Sequence, residues 1–180
     1  LIKVKEDIKN NILERKCYRN QQKVLFIDRD NTIIKCTKGS YIISEKEVFL
    51  LTENVEKLAF ISEKFNFVAL ISNQPQIAMG LTTWQNVIRI NGEIIKLCLN
   101  NNLLISCFYI CPHHPHSGFP NEDKSLKTNC FCRKPYPGMF FEASYNRNID
   151  LKNSLMIGDS EVDRIAAKNA GVPFKSINLI

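Results

Sequence analysis

Short apolar runs alternate along the chain with segments in which apolar residues recur every three or four positions. Apolar runs of this length, bounded by polar residues, are typical of strands that are buried on both faces of a parallel sheet. The runs predict strands over 24–27, 67–71, 105–110, 155–157 and 172–177.

The segments between these runs have the spacing of amphipathic helices, with one apolar face and one polar face. They predict helices over 3–16, 52–62, 83–99, 137–146 and 162–170. Thr52 is expected to cap the second of these helices, and Gly171 is expected to end the last one. Because strands alternate with helices, we expect an α/β fold with a Rossmann-like, doubly wound parallel sheet.

The composition fits one soluble domain. A chain of 180 residues can bury an ordinary core, and no apolar run approaches the roughly 20 residues of a membrane helix, so no membrane partner is expected. Seven cysteines without an export signal favour a reducing compartment, and we therefore expect a cytoplasmic protein whose clustered cysteines bind metal. The net charge of +6 suits nucleic acid, phosphorylated substrates or solubility alone, and does not discriminate among them.

Acidic or hydroxyl side chains follow three of the predicted strands. Asp28 and Asp30 come after the first strand, and on their own they are equally typical of a polar turn. Ser72 follows the second strand, and Asp159 with Asp163 follows the fourth. The carboxyl ends of parallel strands meet at one edge of a sheet, where ligands bind, so these side chains are expected to converge.

This set of residues has the chemistry of a phosphate-transfer site. Mg²⁺ prefers oxygen ligands, which Asp28 and Asp159 can supply, and the Asp28 carboxylate is then available to attack phosphorus. Asp30 can protonate the leaving oxygen and later activate water. Ser72 and Lys134 are the candidate donors to the phosphoryl oxygens.

A second cluster of metal-binding residues lies in the long segment 111–138, which has no apolar period. Three thiols and one imidazole complete the ligand set of a structural Zn²⁺ site, and these ligands are Cys111, His113, Cys130 and Cys132. By composition His114 and His116 are competing ligands, but we expect them to be exposed loop residues. The remaining cysteines are expected to be structural, and they are Cys17, Cys36, Cys98 and Cys107.

From Lys23 to about Phe174 the chain resembles the haloacid dehalogenase-like phosphatases. The family motifs appear here in order as Asp28-Arg29-Asp30, Ser72-Asn73-Gln74, Lys134 and Gly158-Asp159-Ser160-Glu161-Val162-Asp163. The resemblance implies that Asp28 is the nucleophile and that Asp30 is the acid/base and also binds Mg²⁺ through its main chain. It further implies that Ser72, Asn73, Arg133 and Lys134 bind the substrate, that Asp159 binds Mg²⁺, and that Asp163 supports the site.

Within that family, the segments 111–115 and 130–139 resemble the D,D-heptose 1,7-bisphosphate phosphatases and their relatives, the histidinol-phosphate phosphatases. The resemblance implies that a short zinc-held loop replaces a large cap domain.

Two positions depart from the family pattern. Asn31 stands where relatives commonly have glycine, although asparagine tolerates a left-handed backbone. Met79 stands where relatives often carry arginine, which removes a cation from the expected pocket.

The expected function is therefore Mg²⁺-dependent hydrolysis of a phosphomonoester through an aspartyl phosphate. The expected substrate is the C7 phosphate of D-glycero-D-manno-heptose 1,7-bisphosphate, in nucleotide-activated heptose synthesis for lipopolysaccharide or capsule. Histidinol-phosphate phosphatase and polynucleotide 3′-phosphatase are the alternatives, and a zinc-stabilised binding module is the non-enzymatic one. Nucleic acid is not expected as a partner, because Trp84 and Tyr136 alone do not indicate a stacking groove.

Two domain segments are expected. Residues 1–22 resemble the helix and linker that join such a phosphatase to an upstream sugar-phosphate nucleotidyltransferase, and residues 23–180 form the phosphatase domain with its zinc loop at 111–132. The phosphatase domain is expected to be a monomer.

Overall fold

A computed structural model describes residues 21–37 and 40–180. The predicted helix over 3–16 and Cys17 lie outside these residues. Five parallel strands form one sheet in the order β3-β2-β1-β4-β5. The strands are β1 (Val24–Ile27), β2 (Phe67–Asn73), β3 (Ile105–Cys111), β4 (Leu155–Gly158) and β5 (Phe174–Ser176).

Helices connect successive strands and cover both faces of the sheet. Over the described residues the α-helices are α1 (Thr52–Ser62), α2 (Trp84–Leu99), α3 (Gly138–Arg147) and α4 (Glu161–Ala170). Within residues 21–37 and 40–180 there are also three short 3-10 helices, at Glu45–Glu47, Lys124–Leu126 and Ile177–Leu179. This arrangement confirms the predicted Rossmann-like α/β fold.

Both faces of β1 are completely buried, because alternate residues of the strand face opposite layers. Leu25 and Ile27 pack with the buried residues of α1 and α2. Phe26 lies on the other face, where it packs edge to face against Phe140 of α3 at 4.9 Å between ring centroids. The sheet is therefore the middle of three layers, and β1 is its central strand.

The boundaries of the elements differ from the sequence expectation at a few places. Strand β2 continues through Ser72 and Asn73, because these residues pair with the end of β3. The expectation that Thr52 caps a helix is wrong: Thr52 is the first helical residue, and no side chain caps this helix. Leu51 is the N-cap, and its main-chain N–H donates to Ile33 O at 2.9 Å. The helix begins one residue earlier than expected. Gly171 ends α4 with φ 71°, as predicted.

The segment between β3 and α3 packs against the loop that follows β2. Asp123 donates its main-chain N–H to Ala78 O at 3.0 Å. Gly80 has φ +71°, and a Cβ atom there would lie 1.7 Å from Asn121 O, so this contact requires glycine. The two loops therefore form one continuous rim beside the carboxyl edge of the sheet. Over the described residues no helix is long and apolar enough to cross a membrane.

Candidate active site

Lys134 joins the ends of β1 and β2 to the first turn of α4. Its ammonium group lies 2.5 Å from Asp28 Oδ1, 2.5 Å from Asp163 Oδ1 and 3.1 Å from Ile71 O. The lysine side chain is only 4% exposed, so three acceptors replace the water that its three N–H groups would otherwise bind. Although burial opposes this, the attraction of Asp28 and Asp163 raises the pKa of Lys134, which keeps the group positively charged.

The N-terminus of α4 places Asp163 against this lysine. Ser160 is the N-cap, and its hydroxyl and the Asp163 carboxylate form a capping box. Asp163 Oδ2 accepts from Ser160 N at 3.2 Å and from Ser160 Oγ at 2.5 Å, which leaves Oδ1 for Lys134. Gly158 permits this arrangement, because a Cβ atom there would lie 2.6 Å from Asp163 Oδ2.

Carboxylate charge exceeds ammonium charge at this edge of the sheet. Oxygen atoms of Asp28, Asp159 and Asp163 lie within 4.8 Å of one another, and Lys134 contacts two of these groups. Burial raises the pKa of Asp28 to about 7, and Lys134 only partly opposes this effect. Burial also raises the pKa of the half-buried Asp159.

This surplus of buried negative charge fits a divalent cation with a preference for oxygen ligands. Both oxygens of Asp163 are already bonded, to Lys134 and to Ser160, whereas Lys134 contacts only Oδ1 of Asp28. Asp28 and Asp159 are therefore the carboxylates available to hold such an ion. The carboxylate of Asp30 does not belong to this group of oxygen atoms.

Asp30 is held from two sides. The guanidinium of Arg29 donates to Oδ1 at 2.9 Å, and the amide of Gln74 donates to Oδ2 at 2.9 Å. Arg29 is 1% exposed, and its other donor reaches Asn91 Oδ1 on α2 at 3.2 Å. The Asp30 side chain itself remains 27% exposed, so its carboxylate is oriented by buried groups while it faces the open edge of the sheet.

The other residues expected to bind substrate are Ser72, Asn73 and Arg133, and their hydrogen-bond partners differ. Ser72 is 3% exposed at the end of β2, and its hydroxyl accepts from Gln74 Nε2 at 2.8 Å. The amide of Asn73 faces the main chain of Lys134 instead of open space: Nδ2 donates to Lys134 O at 2.9 Å, and Oδ1 accepts from Lys134 N at 3.0 Å. Arg133 donates to His113 O at 3.2 Å and is half-buried.

Four side chains converge at the base of the segment between β3 and α3. The Sγ atoms of Cys111, Cys130 and Cys132 lie 3.3 Å from one another, and His113 Nδ1 lies 3.6 Å from Cys111 Sγ and 3.4 Å from Cys132 Sγ. Zinc–thiolate bonds of about 2.3 Å place tetrahedral sulfur ligands about 3.8 Å apart, so the ion would fit after each pair separates by about 0.5 Å.

One thiol of this cluster favours the anionic form, while burial raises the pKa of Cys130. Hydrogen bonding from Cys111 lowers the pKa of Cys132 to about 5, whereas the bond with Cys132 raises the pKa of Cys111. A thiolate is the form that binds zinc, and the donor set therefore fits this metal. His114 makes its hydrogen bonds within the loop, to the main chain of His116, and over the described residues neither belongs to a metal-binding group.

The remaining described cysteines lie apart from this cluster. Cys98 is fully buried in the core, while Cys36 and Cys107 are partly buried against it.

A groove of about 650 Å³ lies between the loop after β2 and the segment after β3. One wall includes Leu81 and Trp84, and the other includes Pro112 and Leu126. Its lining residues are Ile77, Gly80, Leu81, Thr82, Thr83, Trp84, Pro112, Asp123 and Leu126, none of which is a lysine or arginine. Met79, where the family pattern led us to note a missing cation, is buried and is not among them.

Sequence analysis missed the residues that surround Asp30. Gln74 and Gln76 flank a proline in a loop, and their composition gave no signal that both would be buried. The burial of Asn91 could have been predicted from sequence, because Asn91 lies on the apolar face of α2 between Ile90 and Ile94. A polar residue on an apolar helix face needs a partner, and Arg29 is that partner.

Comparison with known proteins identifies the family. A family model described as HAD-hydrolase-like matches residues 131–175. A relative from Vibrio cholerae, named D-glycero-beta-D-manno-heptose-1,7-bisphosphate 7-phosphatase, is 33% identical over 151 residues, which are 84% of this chain and 78% of the relative. The chain belongs to the haloacid dehalogenase-like (HAD-like) phosphatases.

Solved HAD-like phosphatases have the same fold. A putative HAD-like phosphatase from Mesorhizobium loti matches with a TM-score of 0.76 and 28% identity, over 86% of this chain and 71% of that one. The D,D-heptose 1,7-bisphosphate phosphatase of B. bronchiseptica, solved with magnesium and phosphate, matches with a TM-score of 0.71 and 26% identity, over 84% and 78%.

A second type of HAD-like relative is bifunctional. The histidine biosynthesis bifunctional protein HisB of Buchnera aphidicola is 29% identical over 152 residues, which are 84% of this chain and 40% of that protein. The similarity therefore spans one part of HisB.

Proposed function

We propose that this phosphatase removes the C7 phosphate of D-glycero-D-manno-heptose 1,7-bisphosphate, with Asp28 as nucleophile and Mg²⁺ as cofactor. The observation that carries the chemistry is the convergence of Asp28, Lys134 and Asp163 in a buried ion-pair network at the edge of the sheet. The names of the relatives from Vibrio cholerae and B. bronchiseptica support the choice of sugar.

The first half of the reaction breaks the phosphate ester. A carboxylate oxygen of Asp28 attacks phosphorus, and the bond between phosphorus and the sugar oxygen breaks. Asp30 donates a proton to the departing oxygen, which leaves as an alcohol. Lys134 stays fixed between Asp28 and Asp163, where its charge stabilises the phosphoryl oxygens. The hydroxyl of Ser72 donates a hydrogen bond to one of these oxygens.

The second half restores the enzyme. Asp30, now a carboxylate, takes a proton from water, and the water oxygen attacks the phosphorus of the aspartyl phosphate. The bond from Asp28 to phosphorus breaks, which releases inorganic phosphate and the free carboxylate. When bound by Asp28, Asp159 and the main chain of Asp30, Mg²⁺ would neutralise carboxylate and phosphate charge.

We assign zinc to the second cluster, with Cys111, His113, Cys130 and Cys132 as ligands. Arg133 and Lys134 directly follow the last ligand, so this site fixes the start of the segment that carries the catalytic lysine. The three closely spaced thiols suit a reducing compartment, and we place the protein in the cytoplasm.

Hydrolysis of histidinol phosphate is the second candidate function. The groove beside the site has no lysine or arginine among its lining residues, and a bisphosphate would need a cation for its second phosphate. The similarity to part of HisB supports the same alternative.

A substrate panel tests these proposals. It compares kcat/KM for both anomers of heptose 1,7-bisphosphate, histidinol phosphate and a 3′-phosphorylated oligonucleotide, with and without Mg²⁺. We expect a heptose bisphosphate to be the best substrate and Asp28→Asn, with unchanged zinc content, to be inactive. Parental activity in Asp28→Asn would refute the nucleophile, and preference for histidinol phosphate would refute the sugar.

A further inference from the structure

The side chain of Gln74 connects two residues of the site. It lies in the loop directly after β2, and the residue is 1% exposed. Its Nε2 atom lies 2.9 Å from Asp30 Oδ2, 2.8 Å from Ser72 Oγ and 3.1 Å from Asn73 O. One amide group therefore contacts both the proposed acid/base and the proposed phosphate donor.

Two neighbours fix the orientation of this amide. Gln76, which is completely buried, donates from Nε2 to Gln74 Oε1 at 2.5 Å. The main-chain N–H of Gln74 donates to Cys111 O at 2.8 Å, which ties the loop to the end of β3. If the amide were rotated by 180°, its oxygen would face the Asp30 carboxylate, which is an acceptor as well. The nitrogen must therefore face Asp30.

This orientation determines what the two contacted groups can do. Because Ser72 Oγ accepts a hydrogen bond from Gln74, the hydroxyl proton is left to point elsewhere and is available to a phosphoryl oxygen. On Asp30, Arg29 donates to Oδ1 at 2.9 Å and to Oδ2 at 3.1 Å, and Gln74 adds a second, shorter bond to Oδ2 at 2.9 Å. Rotation of either group away from the phosphate would break a buried hydrogen bond.

We infer that Gln74 is a positioning residue. It fixes the orientation of the proton-transferring carboxylate of Asp30 relative to the phosphate-binding hydroxyl of Ser72. The inference rests on the proposed function, because it gives Asp30 the role of proton donor to the leaving group. Gln74 itself contacts no reacting atom. Gln76 acts one step further away, since it orients the amide of Gln74.

The dependence of the rate on the leaving group distinguishes this role from a structural one. An alkyl phosphate must receive a proton as its ester bond breaks, whereas p-nitrophenyl phosphate releases a stable phenolate that needs none. The ratio kcat/KM reports the steps through the breaking of this bond. In Gln74→Met, kcat/KM for the best alkyl phosphate should fall about tenfold to 100-fold further than kcat/KM for p-nitrophenyl phosphate.

Three further variants complete the experiment. Gln74→Glu keeps the shape of the side chain but replaces the donor with an oxygen, and it should show the same selective loss even if Gln74→Met proves unstable. Gln76→Met should show a smaller selective loss, because the amide of Gln74 is then free to rotate. Gln85→Met, on the exposed first turn of α2, should behave as the parent.

The outcomes separate this inference from the proposed function. If the parent hydrolyses both esters and Asp28→Asn hydrolyses neither, the proposed phosphatase chemistry stands, and the substrate panel decides the sugar. Equal losses for the two esters in Gln74→Met and Gln74→Glu, or losses no larger than in Gln85→Met, would then overturn the inference alone. If the parent hydrolyses neither ester, the proposed function fails and the inference falls with it.

Discussion

Asn73 and Lys134 hold each other by two hydrogen bonds, so the end of β2 is tied directly to the main chain of the lysine that we propose binds phosphate. The amide of Asn73 donates to Lys134 O at 2.9 Å and accepts from Lys134 N at 3.0 Å. The lysine is therefore fixed at both ends, by Asn73 at its main chain and by Asp28 and Asp163 at its ammonium group. Lys134 belongs to the segment between β3 and α3. Its bonds to Asn73 fix the direction in which its side chain reaches the strand ends.

Asn73→Ala should remove this tie and leave two polar main-chain groups without partners. We expect kcat/KM to fall about tenfold to 100-fold and the free energy of unfolding to fall by about 1–3 kcal/mol. Steady-state kinetics and urea melts measure the two effects. Asn169→Ala is the matched control, because its amide donates a single exposed bond to the adjacent Pro135 O. Equal effects in the two variants would contradict the special role of Asn73.

Gly158→Ala should disrupt the site without changing any charged group. The new Cβ would lie 2.6 Å from Asp163 Oδ2, so Asp163 must move away from Lys134 and from its capping box. We expect a destabilisation of about 1–3 kcal/mol and a drop in kcat of more than about tenfold. Both are measured on the same preparation.

Gly92→Ala is the control for that substitution. Gly92 lies inside α2, and apart from the backbone of its own helix a Cβ atom there would meet nothing within 4 Å. Alanine should therefore stabilise the protein by about 0.5–1 kcal/mol through helix propensity and leave kcat unchanged. A stable, fully active Gly158→Ala would show that Asp163 need not hold its present position.

Stabilisation by Mg²⁺ should increase with pH between 6 and 8. Burial raises the pKa of Asp28 from 3.8 to about 7, so near pH 5 the folded, metal-free protein holds a proton that the unfolded chain has released. This group therefore favours the folded state at low pH, and that contribution is lost as the pH rises through about 7. Mg²⁺ competes with the same proton.

Thermal melts with and without Mg²⁺ test this dependence. We expect the Mg²⁺-induced rise in Tm to be larger at pH 8 than at pH 6. In Asp28→Asn, which cannot ionise at this position, the rise should be small and the same at both pH values. A rise in the parent that does not depend on pH would mean that Asp28 holds no metal.

Cys130→Ser should lose zinc and stability together. Only three ligands remain, which lowers the affinity for zinc. Without the ion, the chain from Cys111 to Cys132 is no longer held together by a metal. Metal analysis of freshly purified protein should find one zinc per chain in the parent and much less in the variant. Cys107→Ser, at a partly buried cysteine outside the cluster, should keep its zinc. Full zinc content in Cys130→Ser, or none in the parent, would refute the site.

The strands and their polar ends could be predicted from sequence because each is encoded within a few adjacent residues. A buried run followed by acid at Asp28 or Asp159 requires only local information and the rule that parallel strands end at one edge. Asn31, where relatives commonly have glycine, has a left-handed backbone with φ 58°, which asparagine tolerates. Thr52 shows the limit of local rules, because its residue type suits an N-cap but Leu51 is the N-cap and Thr52 is already helical.

The supporting contacts could not be predicted, because they join residues that are far apart in the chain. Arg29 meets Asn91 across 62 positions, and Asn73 meets Lys134 across 61. Asn73 was expected to bind substrate, and its amide instead faces the main chain of Lys134. Which partner a buried amide or guanidinium chooses depends on how the helices and loops pack over the sheet.

The groove and the proposed nucleophile are built from different elements. The two walls of the groove come from the loop after β2 and the segment after β3, whereas Asp28 and Asp159 belong to other strand ends. Under the proposed function, substitutions at wall positions such as Leu81 or Leu126 should alter which phosphate ester fits without disturbing Asp28. An architecture of this kind lets related enzymes diverge in metabolism while they inherit one unchanged reaction centre.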